Sequence, residues 1–147
     1  KIYPALNAIT PYFITAQMFG RFGCLMGGCC FGRPSDSAWC IRYPQNSYAF
    51  QVYGDKQLYP FPVMEICLLL LILIFTVKVF RNARFICYIL MYTSGRFFLE
   101  YFRGDNRGNM YGSLSPSQGI CMLLFITVIF VSGVYACIVR KKFSFGK

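Results

Sequence analysis

Histidine is missing altogether from the 147 residues, and only five residues are Asp or Glu. Without imidazole, His-dependent catalytic triads and His-containing zinc sets are excluded, and any zinc site would have to be all-thiolate. Charge of either sign is scarce: Asp, Glu, Lys and Arg make up 14% of the chain, against about 25% in ordinary soluble domains. The net charge is +10, but the 15 Lys and Arg are scattered between hydrophobic runs. With no long basic stripe, nucleic acid is not an expected partner. There is no internal repeat, no low-complexity tract and no secretory signal with an n-region and a small-residue cleavage site. No G-K-[ST] follows the one glycine-rich stretch, so a phosphate loop is excluded too.

Apolar residues are what the chain has in excess: 56% hydrophobic and 19% aromatic. A soluble fold of this size has few places to put so much apolar surface, whereas a bilayer removes the difficulty, at roughly 20 residues per spanning helix. Four segments stand out: Ile2–Phe19, broken by Pro4 and Pro11; Val63–Val77, containing the run ICLLLLILIF; Phe85–Phe102; and Gly119–Val139. The expected fold is therefore all-α. It is a single transmembrane domain over residues 1–147, a polytopic helical bundle of about four helices. Residues 20–61, rich in Gly, Pro, Tyr and Cys, are expected to form an outward-facing cap in the membrane interface, where aromatics are favoured.

Charge asymmetry sets the expected orientation. If successive segment ends alternate sides, one side holds Lys1, Lys78, Arg81, Arg84, Arg140, Lys141, Lys142 and Lys147, and no acid. The other side, with the embedded positions, holds Arg21, Arg33, Arg42, Lys56, Arg96, Arg103, Arg107 and all five acids. The positive-inside rule puts the first group, and so the C-terminus, in the cytoplasm. Residues 20–61 and 103–118 then face outward.

The third segment carries the chemistry. Tyr92, Arg96, Glu100 and Arg103 fall at i, i+4, i+8 and i+11, on one face of a helix with about 3.6 residues per turn. A charge near the bilayer centre costs about 2.5–3.5 kcal/mol on translocon scales. A structural Arg96–Glu100 pair explains one Arg and one Glu but leaves Arg103 unaccounted for. A polar cavity accounts for all of them: Glu100 orients arginines toward an anionic group and Tyr92 adds a phenolic donor. The candidates are arginines, whose planar fork holds phosphate bidentately.

A second candidate region, residues 20–32, reads GRFGCLMGGCCFG, five glycines in thirteen residues. By spacing alone it is a helix-packing motif, a flexible loop or a site. Of the eight cysteines, Cys67, Cys87, Cys121 and Cys137 sit in apolar runs as small hydrophobes. Cys24, Cys29, Cys30 and Cys40 share the polar segment. Their spacing is not paired C-x-x-C, so no metal and no cofactor is expected. Small packing residues are the expectation, and a disulfide to Cys40 in an oxidising outer compartment is the alternative.

Taken together, GRFGCLMGGCCFG, the Pro-rich stretch ending in Glu65, YTSGRFFLEYFRGD and SLSPSQG resemble, in order, the motifs of the prolipoprotein diacylglyceryl transferase family. The variant it is similar to reads G-R-x-G-C-F-x-x-G-C-C-Y-G. Over residues 5–120 the resemblance implies transfer of the diacylglyceryl group of phosphatidylglycerol onto the lipobox cysteine thiol of a preprolipoprotein. It implies a multi-pass bacterial inner-membrane protein, its site toward the outer leaflet, with phosphatidylglycerol, the lipobox peptide and membrane lipids as partners. By motif, Arg21 resembles the family's essential arginine, and Tyr92, Arg96, Glu100 and Arg103 match its Y-x3-R-x3-E-x2-R helix. The catalytic set implied is Arg21, Arg96, Glu100 and Tyr92; Arg103, Cys24, Cys29, Gly32 and Glu65 are the implied substrate-binding positions. Cys24 stands where many members have Asn, and Cys29 where many have Glu. Tyr59 stands at the His of the family's H-P-x-Q-L-Y-E stretch, with Pro60 and Glu65 matching its Pro and Glu. The family's H-G-G helix has no counterpart, so the expectation is either a fragment of a longer protein or a short homologue with altered chemistry. Two other readings stand beside the transferase: a non-catalytic homologue that binds phospholipid or lipoprotein, and a small anion transporter.

Overall fold

The computed structural model describes residues 2–104 and 115–144, and beyond Val131 only Gly133 with more than backbone. Lys1, Asp105, Arg107, Ser113, Leu114 and Lys147, named in the sequence reading, lie outside the described residues. The elements are α1 (Ile2–Met26), a short α2 (Tyr48–Tyr53), α3 (Phe61–Lys78), α4 (Arg84–Leu99) continued by a 3₁₀ turn (Glu100–Phe102), and α5 (Pro116–Ser144). No strand occurs among the described residues, only isolated bridges. α1 packs on α3, α3 on α4, α4 on α5, and α1 also touches α4.

α1 corrects two boundaries. The helix is continuous across Pro11 and extends to Met26, so the segment between α1 and α3 starts at Gly27 rather than Gly20. Thr10 donates to the Leu6 carbonyl at 2.7 Å and Thr15 to that of Pro11 at 2.9 Å. The packing of α1 on α3 outweighs the local penalty of about 3 kcal/mol for an interior proline. Ile14, Leu69, Ile72 and Tyr88 form the core where α1, α3 and α4 meet. Gly95 lets α4 approach α3 closely, since a Cβ there would collide with Leu68.

α3 is long and apolar enough to cross a membrane, with a mean hydropathy of 2.3, and Pro116–Val131 of α5 is a shorter apolar stretch. Both helices, with α1, expose large apolar side chains such as Phe19, Leu71, Phe75, Leu123 and Phe130. Such contiguous apolar surface marks a membrane or protein contact.

At one end of the bundle, Asn7 of α1 holds the α3–α4 turn. Its amide donates to the Asn82 carbonyl at 2.9 Å and accepts from the Phe85 N–H at 3.0 Å. At the other end, residues 27–60 fold over the helix ends around Phe31, Tyr43, Ala49 and Leu58. Residues 31–34 thread between two neighbours. Gly32 N–H donates to Tyr59 O and Arg33 N–H to Phe102 O, both at 2.9 Å, and Gly104 N–H reaches Phe31 O at 3.2 Å. Only glycine fits at 32, because a Cβ would stand 2.5 Å from that of Tyr59 and 2.7 Å from the Phe102 oxygen.

Candidate functional site

The site is assembled where the end of α1, the start of α3 and the end of α4 meet under this cap. Glu65, in the second turn of α3, is completely buried, and a carboxylate in that position must be paired. Three donors converge on it. Arg21 Nε of α1 lies 3.0 Å from Oε1, Tyr92 donates its hydroxyl to the same oxygen at 2.9 Å, and Arg96 Nη1 reaches Oε2 at 3.5 Å. Arg96 turns its other nitrogen, Nη2, to Glu100 Oε2 at 3.3 Å, and Arg103 Nη1 lies 3.8 Å from that oxygen. Three guanidiniums and two carboxylates therefore form one network.

α4 turns to 3₁₀ geometry at Glu100, where side chains at i and i+3 eclipse. That brings Arg103 over Glu100. Arg103 itself is no longer helical, contrary to a stripe on one continuous helix: its backbone is extended and bridges to Gly32. The cap backbone thus fixes the third arginine. Phe61, fully buried, lies against two guanidiniums, with its ring centroid 5.0 Å from Cζ of Arg96 and 5.2 Å from that of Arg103. Cation–π contact stabilises both cations without neutralising them.

Ser115 closes the network from α5. Its hydroxyl donates to Glu100 Oε1 at 3.1 Å and accepts from the Gln118 N–H at 3.3 Å, while Gln118 Oε1 accepts from the Ser115 N–H at 3.0 Å. This is a reciprocal capping box with Pro116 at the first helical position. The S-P-S-Q run is a local sequence signal for this cap. Phe61 and the relay from Gln17 through Tyr88, stacked on Tyr92, carried no such signal. Glu65, implied as a substrate-binding position, is the hub for Arg21, Tyr92 and Arg96, while Glu100 orients Arg96 and Arg103.

All nine predicted site residues lie in this region. Arg21, Glu65, Tyr92, Arg96, Glu100 and Arg103 share the network, and Gly32 is bonded beside it. Cys24 stands one turn after Arg21 on α1 and interacts with its charge. Cys29 is brought back to Cys24 by a turn at Gly28, whose φ is +60°, its N–H donating to the Cys24 carbonyl at 3.1 Å. Cys30 completes a set of three thiols, whose sulfurs all lie within 4.8 Å of one another. Cys40 is not among them, and no disulfide forms among the described cysteines. Burial pushes the Cys29 thiol up to about 11, with Cys30 and Cys24 adding to the effect. Tyr43, beside them, is pushed to about 12, again mainly by burial.

Fold and site together define a class: a mostly helical protein that buries three guanidiniums and two carboxylates in one cluster. The family model for prolipoprotein diacylglyceryl transferase matches residues 1–134, and the chain belongs to that family. A phosphatidylglycerol–prolipoprotein diacylglyceryl transferase of Clostridium tetani is 31% identical over 138 residues, 88% of this chain and 52% of the relative. A second, from Clostridium perfringens, is 33% identical over 141 residues, 92% of this chain and 54% of the relative. One from Listeria monocytogenes is 28% identical over 130 residues, 84% and 46% of the two chains. The chain spans about half the length of the curated relatives it matches. No solved structure matches it.

Proposed function

We propose that this chain carries the phosphate-binding half of a diacylglyceryl transfer site, acting on phosphatidylglycerol and the lipobox cysteine of a prolipoprotein. The observation that carries the reading is that Arg21 and Arg96, from two helices, meet on the single buried carboxylate of Glu65. In the reaction, the acceptor sulfur bonds to the glyceryl carbon while that carbon's bond to a phosphate oxygen breaks. Glycerol phosphate leaves with one more negative charge than the diester had, balanced by the proton the thiol gives up. A guanidinium cluster already fixed in place stabilises the charge as it develops.

Both carboxylates are already engaged by arginines, so their role is to hold guanidinium planes in place. Tyr92 is likewise committed to Glu65. The chain is a single polytopic bundle in the bacterial inner membrane, its exposed apolar helix faces toward lipid. The cap and Arg103 face outward, and the Lys78–Arg84 end faces the cytoplasm, in keeping with its surplus of basic residues.

The test is to incubate the purified protein with labelled phosphatidylglycerol and a lipobox peptide and look for the thioether product. Product that disappears in Arg96→Ala supports the reading. Lipid binding that depends on Arg96 without any turnover sinks it in favour of a non-catalytic binder.

A further inference from the structure

The three clustered thiols are left over by the arginine chemistry, and they have the geometry of a ligand set. Three sulfurs about 2.3 Å from one zinc ion stand about 4 Å apart, and Cys24, Cys29 and Cys30 lie within 4.8 Å of one another, each half-buried. Cys24 is held by the last turns of α1, and the two vicinal residues are folded back onto it. Cys30 adopts a left-handed φ of 56°, unusual for a residue with a Cβ, at the point where its sulfur joins the other two.

A second observation points to a ligand. Tyr43, buried in the same cap as Cys29 and Cys30, is 8% exposed, and its hydroxyl has no hydrogen-bond partner. A buried hydroxyl without a partner costs about 1–3 kcal/mol. A metal-bound thiolate beside it accepts that hydrogen bond, and outer partners of this kind tune metal affinity by about 10–100-fold.

We propose that Cys24, Cys29 and Cys30 bind a soft closed-shell cation of the zinc(II) class, with Tyr43 donating to a ligating sulfur and the fourth position open to an external thiol. Three thiolates and a divalent ion carry one negative charge, and the Arg21 guanidinium stands one turn away on α1. Among the described residues no fourth Cys, His or carboxylate joins the cluster. An entering thiol loses its proton to solvent and binds as thiolate. This last step rests on the transferase reading, in which the acceptor is a cysteine thiol and the chain holds no histidine to deprotonate it.

The experiment uses the reduced, purified protein and cobalt(II) as the probe. About one ion per chain is expected, with a thiolate-to-cobalt charge-transfer band that zinc(II) abolishes. Binding tightens as pH rises, because protons leave the thiols, by up to about tenfold per proton per pH unit. In the unmutated protein, zinc should protect Cys24, Cys29 and Cys30 from alkylation but not Cys40. Cys30→Ser should lose the band, Cys40→Ser should keep it, and Tyr43→Phe should bind about tenfold more weakly. Absence of the band, a band that survives Cys30→Ser, or a disulfide among the three overturns the site. A band unmoved by added cysteine peptide overturns the open position. Cobalt and thiol binding without thioether formation from phosphatidylglycerol counts against the transferase reading and leaves the metal site standing.

Discussion

The two ends of the bundle are held by different means. At the α3–α4 turn the helices are joined by neutral hydrogen bonds, two from the half-buried Asn7 and one from the Tyr3 hydroxyl. At the opposite end they are joined by buried ion pairs on Glu65 and Glu100 under a folded cap. Neutral hydrogen bonds at a surface contribute about 1 kcal/mol each and ask little of the surrounding protein. Buried ion pairs carry a desolvation penalty that can exceed their attraction, so they add little net stability. An arrangement that places five ionised groups together at one end only is better explained by chemistry at that end than by cohesion.

The comparison is broken most severely at Glu65. Glu65→Gln leaves Arg21 and Arg96 facing each other without their shared carboxylate. We expect thioether formation to fall about a thousandfold and stability to drop by about 3–5 kcal/mol, read by product assay and thermal melting. A variant that keeps both would show that Glu65 is not the anchor. Arg21→Lys retains the charge but not the fork, and product formation should fall about a hundredfold with little change in melting. A normal rate would remove Arg21 from phosphate binding.

Gly32→Ala probes how the cap sets Arg103. The added methyl meets the Tyr59 side chain and the Phe102 carbonyl, and we expect a loss of about 1–3 kcal/mol with weaker lipid binding. Melting at the wild-type temperature would argue that the cap is loosely seated. Ser115→Ala removes both the α5 cap and the bond to Glu100, for about 1 kcal/mol and a rate lowered severalfold. Smallest is Asn7→Ala at the far end, where about 1 kcal/mol of stability should go while transfer per folded molecule stays unchanged. A slowed reaction in that variant would show that the two ends are coupled.

Much of this end was legible in sequence because helical periodicity is a local property. Tyr92, Arg96 and Glu100 share a face by spacing alone, and the structure adds their partners. Less legible was the continuity of α1, where Pro11 and the glycines of residues 20–23 argue locally for interruption and packing on α3 and α4 overrides them. The 3₁₀ turn at Glu100 was invisible too, since it depends on Arg103 being drawn into backbone pairing with Gly32.

What the sequence determined unaided was the apolar excess, the helical segments, the arginine-bearing face of α4 and the set of motifs that mark the family. Each of these is written in neighbouring residues or in composition. Only the tertiary structure decided that Glu65 is the meeting point of Arg21 and Arg96, that Phe61 lies against two guanidiniums, and that Cys24, Cys29 and Cys30 converge while Cys40 does not. Arg96 and Glu65 are 31 residues apart, and nothing in local propensity selects a partner at that distance. Which buried charge meets which is chosen by helix packing, because in a low-dielectric interior an unpaired charge is too costly to leave alone.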